Sequence, residues 1–264
     1  RKRQAVFADL ELFNQLAPEK SRFKPALKIG VLLLALACII IALVNPKMGT
    51  KMETVKRQGI DIVFAVDISK SMLAEDVAPN RLEKTKQIVS QIINQLGNDR
   101  VGIVGYAGSA YPVLPMTTDY SIAKMYLQSM NTNMVSSQGT AFNDAIQLAV
   151  DFFDVKDTSK LIILISDGED HGEGAEDAIE MAKEKGVRIL TIGVGTEKGG
   201  PIPLRDDKGT IASYKKDSEG QTVTTKLYPE VLKNIADKTK SKYIVGSSTK
   251  EVVEELKKSL DKIE

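Results

Sequence analysis

The chain has almost none of the side chains that most often carry catalysis or bind transition metals. Its 264 residues include one histidine, His171, one cysteine, Cys38, and no tryptophan. A single cysteine excludes an internal disulfide and a site built from several thiolates. A single histidine leaves little room for a histidine-based catalytic dyad or a His-rich zinc site. Carboxylates and hydroxyls are therefore the groups from which a functional site must be built.

The chain also lacks a charge excess. It has 36 Lys and Arg residues against 35 Asp and Glu residues. Because a nucleic-acid-binding domain usually carries a strong basic excess, we expect no nucleic-acid partner. The length is enough for one large α/β domain with an appendage.

One long apolar run stands out. Residues 29–44 carry no charge, and with the preceding turn they form a segment, 26–45, long enough to span a bilayer. A buried core helix is the alternative, but such a helix rarely lacks any polar face over this length. Cys38 then lies against lipid or a packed neighbour. We therefore predict one transmembrane helix, with residues 46–58 as a linker.

The segment before the span, residues 1–25, is basic. It contains apolar residues at helical spacing (Phe7, Leu10, Phe13 and Leu16), which predict a short amphipathic helix before Pro18. That helix could lie on a membrane surface or pack on its own protein, and the sequence does not decide between them. Seven Lys and Arg residues lie within residues 1–28, before the uncharged run, and four closely follow the span. This bias places the N-terminus in the cytoplasm and the rest of the chain outside.

From residue 59 onward, apolar strand patterns alternate with amphipathic helix patterns. This alternation predicts a doubly wound, mostly parallel, Rossmann-like α/β sheet over residues 59–264. Residues 196–227 interrupt the rhythm with Gly, Pro, Thr and charged residues, which indicates an inserted hairpin or two.

Hard oxygen ligands follow three of these elements. Asp67, Ser69 and Ser71 end the first strand, Thr140 opens a helix, and Asp167 ends the most apolar strand. Loops at the carboxyl ends of neighbouring strands meet in one crevice where the strand order reverses. Two carboxylates and three hydroxyls suit Mg²⁺ best, with Mn²⁺ or Ca²⁺ as alternatives. The competing interpretation is that these residues only cap turns and helices.

The sequence D-I-S-K-S, followed by a Gly-Thr loop and then S-D-G, resembles the metal-ion-dependent adhesion site of von Willebrand factor A domains. The resemblance covers residues 59–264. It implies that Ser69, Ser71 and Thr140 are hydroxyl ligands, and that Asp67 and Asp167 act directly or through water. It also implies protein binding without catalysis, in which an acidic side chain of the partner completes the coordination of the metal.

The wider layout resembles the Bat membrane proteins of bacterial aerotolerance operons. The resemblance rests on the apolar helix, the A domain, the segment DGEDHGEG and the late insertion PIPLRDDKGT…YKKD. It implies an inner-membrane location, a periplasmic A domain, and other Bat proteins as partners. It also implies a functional link to a MoxR-type AAA+ ATPase. Bat proteins carry a second membrane helix after the A domain, so we expect this chain, which starts at Arg1, to be truncated at both ends.

Two other functions stay open. Asp67 could be the nucleophile of a metal-dependent phosphohydrolase, although a second carboxylate two residues on is usual and Ser69 stands there. A scaffold with a vestigial metal site is the other alternative. We identify no catalytic residue and no organic cofactor site, because Gly193-Val194-Gly195 lacks the third glycine of a dinucleotide loop.

Some further residues have a weaker signal. Glu169, Asp170 and His171 could line the rim of the crevice, but a solvated turn is the favoured interpretation. Met125, Met130 and Met134 are expected to fill the core.

The orientation can be tested with fusions. An alkaline phosphatase fused after Glu264 should be active, and a reporter that works only in the cytoplasm should be inactive there. The same two reporters fused after Pro25, ahead of the span, should give the opposite pattern. A cytoplasm-only reporter that is active after Glu264 would refute this orientation.

Overall fold

The structure is a computed structural model. It describes residues 23–44, 59–135, 139, 141–155, 158–169, 175–206 and 209–260. The amphipathic helix predicted within residues 1–25 and the linker 46–58 lie outside these ranges. The chain divides into two units, Arg1–Val55 and Lys56–Glu264, which are described separately.

The described part of the first unit is one helix, α1, Phe23–Val44. None of its residues is buried, and its most apolar 18-residue stretch has a mean hydropathy of 2.9. Its 22 residues correspond to about 33 Å of helix, close to the thickness of a bilayer's hydrocarbon core. Among the described residues it is the one helix whose length and composition suit a membrane span.

The second unit is built on a six-stranded sheet. Its strands are β1 (Asp61–Asp67), β2 (Arg100–Tyr106), β3 (Ala110–Thr117), β4 (Lys160–Ser166), β5 (Val187–Gly193) and β10 (Tyr243–Val245). Their order across the sheet is β10-β5-β4-β1-β2-β3, and all pairs are parallel except β2 with β3. The strand order therefore reverses at β1, which places a crevice at its carboxyl end.

Helices cover both faces of this sheet. The helices are α2 (Arg81–Ile93), α3 (Tyr120–Ser129), α4 (Phe142–Asp151), α5 (Glu176–Glu184), α6 (Pro229–Lys238) and α7 (Thr249–Leu260). One core contains buried residues of α2, α3 and α7, and the other contains buried residues of α4, α5 and α6. β1 is buried at all seven positions because it has a helix layer on each side. The predicted doubly wound α/β fold is confirmed.

The interruption between β5 and α6 forms two small antiparallel sheets. The first pairs β6 (Gly200–Pro201) with β9 (Thr224–Thr225), and the second pairs β7 (Pro203–Arg205) with β8 (Ile211–Tyr214). The β6–β9 pair closes the base of the insertion, and all four residues of β8 are exposed. A two-stranded ribbon has little stability of its own, so its attachment to the main sheet decides its position.

One prediction about the core is wrong. Met130 is buried, but Met125 is 62% exposed and Met134 is 45% exposed. The helix α3 buries Ala123 and Leu127 and leaves Met125 on its exposed side. An apolar side chain alone does not show which face of a helix packs against the sheet.

An ion-pair cluster fixes the beginning of β1. Arg100 donates from Nε to Asp61 Oδ1 at 2.8 Å and from Nη2 to Asp61 Oδ2 at 2.6 Å. Thr158 and Asp154 add further bonds to this pair. The Asp61 side chain is only 2% exposed. These partners compensate for the cost of burying its carboxylate.

Asp61→Ala should lower the free energy of unfolding by about 2 kcal/mol, because it leaves the partly exposed Arg100 with only the exposed Asp154 as an acidic partner. Urea unfolding followed by tyrosine fluorescence would measure this. Asp151→Ala is the matched control: Asp151 is 67% exposed and bonds Lys185 at 3.5 Å, so it should change stability by less than about 0.5 kcal/mol. Equal effects of the two variants would contradict the role assigned to Asp61.

Candidate functional site

The candidate site lies at the carboxyl end of β1 and β4, where the strand order reverses. Asp67 is the last residue of β1, and Asp167 directly follows β4. The two strands are adjacent and parallel, with Val66 opposite Ile165. The pairing therefore brings together two carboxylates that are 100 residues apart along the chain. Both side chains are fully buried.

The turn after β1 returns Ser69 and Ser71 to Asp67. Asp67 Oδ1 accepts a hydrogen bond from the Ser69 backbone N–H at 2.8 Å, and a 3₁₀ turn, Lys70–Leu73, follows. Asp67 thus does cap its own turn, as the competing interpretation predicted. The Ser69 side chain makes no capping bond at the start of the 3₁₀ turn, and its hydroxyl instead interacts with Asp67 and Ser71.

The hydroxyls of Ser69 and Ser71 lie 2.9 Å apart. This distance is that of a hydrogen bond, and it is also the spacing of adjacent ligands around Mg²⁺. Two Mg–O bonds of about 2.0–2.1 Å at right angles separate their oxygens by about 2.9 Å. The serine pair therefore fits Mg²⁺ without rearrangement.

Ser166 joins the two acidic loops and was not singled out by the sequence. Its Oγ donates to Asp67 Oδ2 at 2.7 Å and accepts from the Gly168 backbone N–H at 2.9 Å. Both oxygens of Asp67 therefore have protein donors. The signal that could have found Ser166 is its place in S-D-G, directly before Asp167, at the end of a buried strand.

The charges at this site are not balanced. Burial, followed by repulsion from Asp167, raises the pKa of Asp67 to about 7. Burial also raises the pKa of Asp167, against the opposing effects of a Ser71 hydrogen bond and the charge of Arg81. Two carboxylates in so small a buried volume favour a bound cation, and a divalent ion would neutralise both.

Arg81 is the second residue that the sequence did not reveal. It is the first residue of α2 and wholly buried, and its Nη1 donates to Asp167 Oδ2 at 2.7 Å. A cation is unfavourable at a helix N-terminus, which is positive. An arginine directly after the N-cap residue Asn80 is therefore a signal that it pairs with acidic groups elsewhere.

Gly168 allows the Asp167 loop to pass close to the next element. Its φ is +78°, and a Cβ there would collide with the carbonyl of Tyr228. The Tyr228 N–H in turn donates to the Asp167 carbonyl at 2.7 Å. The glycine of S-D-G is thus required by both conformation and space.

Of the remaining residues considered for this site from the sequence, only Glu169 lies within the described part of the chain. Thr140, Asp170 and His171 lie outside the described residues. Glu169 is half-buried and accepts from Thr225 Oγ1 at 3.1 Å, so it belongs to the rim of the site rather than to a solvated turn. Within the described parts of the chain, no three His, Cys, Asp or Glu side chains form a group that could hold a metal ion.

Comparisons with known proteins agree with this geometry. Residues 61–258 match the von Willebrand factor type A domain. A UPF0353 protein of Mycobacterium marinum is 30% identical over 231 residues, which cover 78% of this chain and 67% of the relative. The chain thus spans about two thirds of that relative's length.

Two solved structures are also similar. An aerotolerance-related membrane protein from Bacteroides fragilis is 35% identical with a TM-score of 0.73, and the match covers 77% of this chain and 100% of that one. BatB from Bacteroides thetaiotaomicron is 40% identical with a TM-score of 0.71 and the same coverage.

A more distant structure shares the fold alone. Proximal thread matrix protein 1 from the mussel byssus, solved with a zinc-occupied MIDAS motif, is 19% identical with a TM-score of 0.56. The match covers 76% of this chain and 45% of that one. Taken with the two Bacteroides structures and the match over residues 61–258, the comparisons show that the chain belongs to the von Willebrand factor type A domain family and is BatB-like.

Proposed function

We propose that this domain binds a partner protein through a divalent metal ion, and that the ion is held by Asp67, Ser69, Ser71, Thr140 and Asp167. The observation that supports it most is the convergence of Asp67 and Asp167 beside two hydroxyls 2.9 Å apart. Mg²⁺ is the ion that a site with few carboxylates and several hydroxyls favours, with Mn²⁺ or Ca²⁺ as alternatives.

The carboxylates are placed so that the ion keeps much of its positive charge. Asp67 accepts one hydrogen bond on each oxygen. Asp167 accepts from Arg81 on one oxygen and from the Glu169 N–H on the other, at 3.2 Å. Because part of each carboxylate's charge is already engaged, an ion bound here would still attract an Asp or Glu side chain of a partner.

The same contacts disfavour the phosphohydrolase alternative. A nucleophilic Asp needs an oxygen that can approach phosphorus, but Asp67 is fully buried and hydrogen-bonded on both oxygens. The residue two positions later, Ser69, cannot serve as a carboxylic general acid. We therefore propose a binding module without catalysis.

The proposed setting is the bacterial inner membrane, with α1 as an anchor and the domain in the periplasm. The proposed partners are other Bat-family subunits that carry an exposed acidic side chain, in a complex that contributes to aerotolerance. A cytoplasmic MoxR-type ATPase would act on a periplasmic domain only through such a complex. The apolar helix and the similarity to a membrane protein described as aerotolerance-related support this setting.

Metal binding is tested first. The chain should bind one Mn²⁺ or Mg²⁺, and Ser69→Ala should weaken binding at least about tenfold, because it removes one hydroxyl ligand without changing charge. Titration followed by Mn²⁺ electron paramagnetic resonance would measure both affinities. Ser213→Ala, on the exposed strand β8, is the matched control and should leave affinity within twofold. Equal affinities of the two variants would contradict the assigned ligand.

Partner binding is tested by capture from solubilised membranes. The immobilised chain should retain a partner in Mg²⁺, release it in EDTA and retain it again when Mg²⁺ is restored. Asp67→Ala should abolish capture, while Asp237→Ala, an exposed acid on α6, should preserve it. Mutating acidic residues of the captured partner should identify the one that fills the coordination position. Capture unaffected by EDTA and by Asp67→Ala would overturn the proposal.

A further inference from the structure

One arginine connects the candidate metal site to the inserted segment, residues 196–227. Arg81 uses all of its N–H donors inside the protein. Nε and Nη2 donate to the two oxygens of Asp76 at 2.8 and 2.9 Å, and Nη1 donates to Asp167 at 2.7 Å. The remaining donors bond Thr225, at 3.2 Å to Oγ1 and 3.0 Å to its carbonyl.

Both ends of the insertion meet this arginine. Thr225 lies in β9 at its second end and bonds the guanidinium directly. Thr196 lies at its first end and donates to Asp76 Oδ2 from its backbone N–H at 2.8 Å and from Oγ1 at 2.9 Å. Gly195 lies against the guanidinium, where a Cβ would be 2.9 Å from Arg81 Nε. The base of the insertion is therefore assembled around one buried cation.

The acidic loop of the metal site is held by the same contacts. Glu169 Oε2 accepts from Thr225 Oγ1 at 3.1 Å, and the Asp167 carbonyl accepts from the Tyr228 N–H just after the insertion. The Asp167 carboxylate has Arg81 on one oxygen and the Glu169 N–H on the other. It cannot rotate toward an ion without disturbing Arg81, and Arg81 cannot move without disturbing Thr225.

We propose that Arg81 is a positioning residue that couples metal binding to the docking of residues 196–227 against the end of the sheet. An ion held by the serine pair restrains the Asp167 carboxylate, which keeps its second oxygen on Arg81 and thereby holds the base of the insertion in place. Because coupling is reciprocal, a well-docked insertion also strengthens metal binding. The inference rests on the metal-binding part of the proposed function and needs no partner protein.

Hydrogen exchange of the full chain, with and without saturating Mg²⁺, tests this coupling. The amides of Thr196, Leu227 and Tyr228 report on it, because each bonds across the base of the insertion. Mg²⁺ should slow their exchange at least about fivefold, the lower end of typical coupling between sites. Peptides from α3 should be unaffected, since the buried residues of α3 lie in a different core from Leu227.

Two variants should remove the effect. Thr225→Val keeps the shape of the side chain but loses the hydroxyl that links Arg81 to Glu169, and only the carbonyl bond to Arg81 remains. Arg81→Lys keeps the charge but cannot reach Asp76, Asp167 and Thr225 together. In both variants, Mg²⁺ should slow exchange by less than about twofold. Because the coupling is reciprocal, their Mn²⁺ affinity should fall by the same factor as the Mg²⁺-dependent protection. If Arg81→Lys does not fold, Thr225→Val alone gives the answer.

Arg205→Gln is the matched control. Arg205 also ties the insertion to the rest of the domain, through Glu75, but it does not contact Asp167. This variant should bind Mn²⁺ within twofold of the native chain and keep its Mg²⁺-dependent protection.

The outcomes separate the two proposals. Native chain that binds Mn²⁺ but shows the same exchange with and without Mg²⁺ would overturn the coupling alone, as would Thr225→Val behaving like native chain. Absence of Mn²⁺ binding by the native chain would overturn the coupling and the proposed metal site together. Failure of partner capture with Mg²⁺-dependent protection intact would overturn only the proposed partner binding.

Discussion

The parallel pairing of β1 with β4 is the constraint on which the rest of the site depends. It places Asp67 and Asp167 next to each other where neither contacts solvent. Two buried carboxylates repel each other and are costly to desolvate, so the surrounding chain must compensate. Ser166, the Ser69 N–H, the Glu169 N–H and Arg81 all donate to them. The site therefore combines dense hydrogen bonding with a remaining excess of negative charge.

A buried carboxylate lies at or beside each end of β1, and each is paired with an arginine in a different way. At its beginning, Asp61 pairs with Arg100, whose side chain is 13% exposed and which also reaches the exposed Asp154. At its end, Arg81 is fully enclosed and bonds Asp76, Asp167 and Thr225. An enclosed guanidinium is tolerated only when all its donors are satisfied, which makes its geometry sensitive to each partner. For this reason the Asp61–Arg100 pair stabilises the fold, whereas under the proposed coupling a movement of Asp167 would shift Arg81 and with it Thr225.

The bonds of the buried Arg81 also determine where the insertion is attached. Its ribbons have too few strands to be stable alone, and β8 is exposed along its whole length. The insertion is nevertheless attached beside the acidic loop, where Thr196 bonds Asp76 and the Thr225 carbonyl accepts from Arg81. Under the proposed function, a segment placed there would form part of the surface that a partner meets.

Much of the fold and half of the site follow from local sequence. Residues 26–44 are apolar enough to predict α1, and the alternation of patterns predicts the doubly wound sheet, because both signals depend on neighbours a few positions apart. Asp67, Ser69 and Ser71 lie within five residues, so their proximity is a property of one turn. Thr140 stays a prediction from resemblance.

Tertiary structure decided what joins distant segments. Arg81 lies 86 positions from Asp167 and 144 from Thr225, and Ser166 lies 99 positions from Asp67. No periodicity encodes such pairings, because they exist only once the strand order places the loops together. Exposure is decided in the same way: the sequence predicted that Met125 fills the core, but α3 buries Ala123 and Leu127 and leaves Met125 in solvent. The sequence by itself thus determined the elements and the chemical types at their ends, and the tertiary structure decided which of those ends meet, since long-range contacts depend on the whole topology.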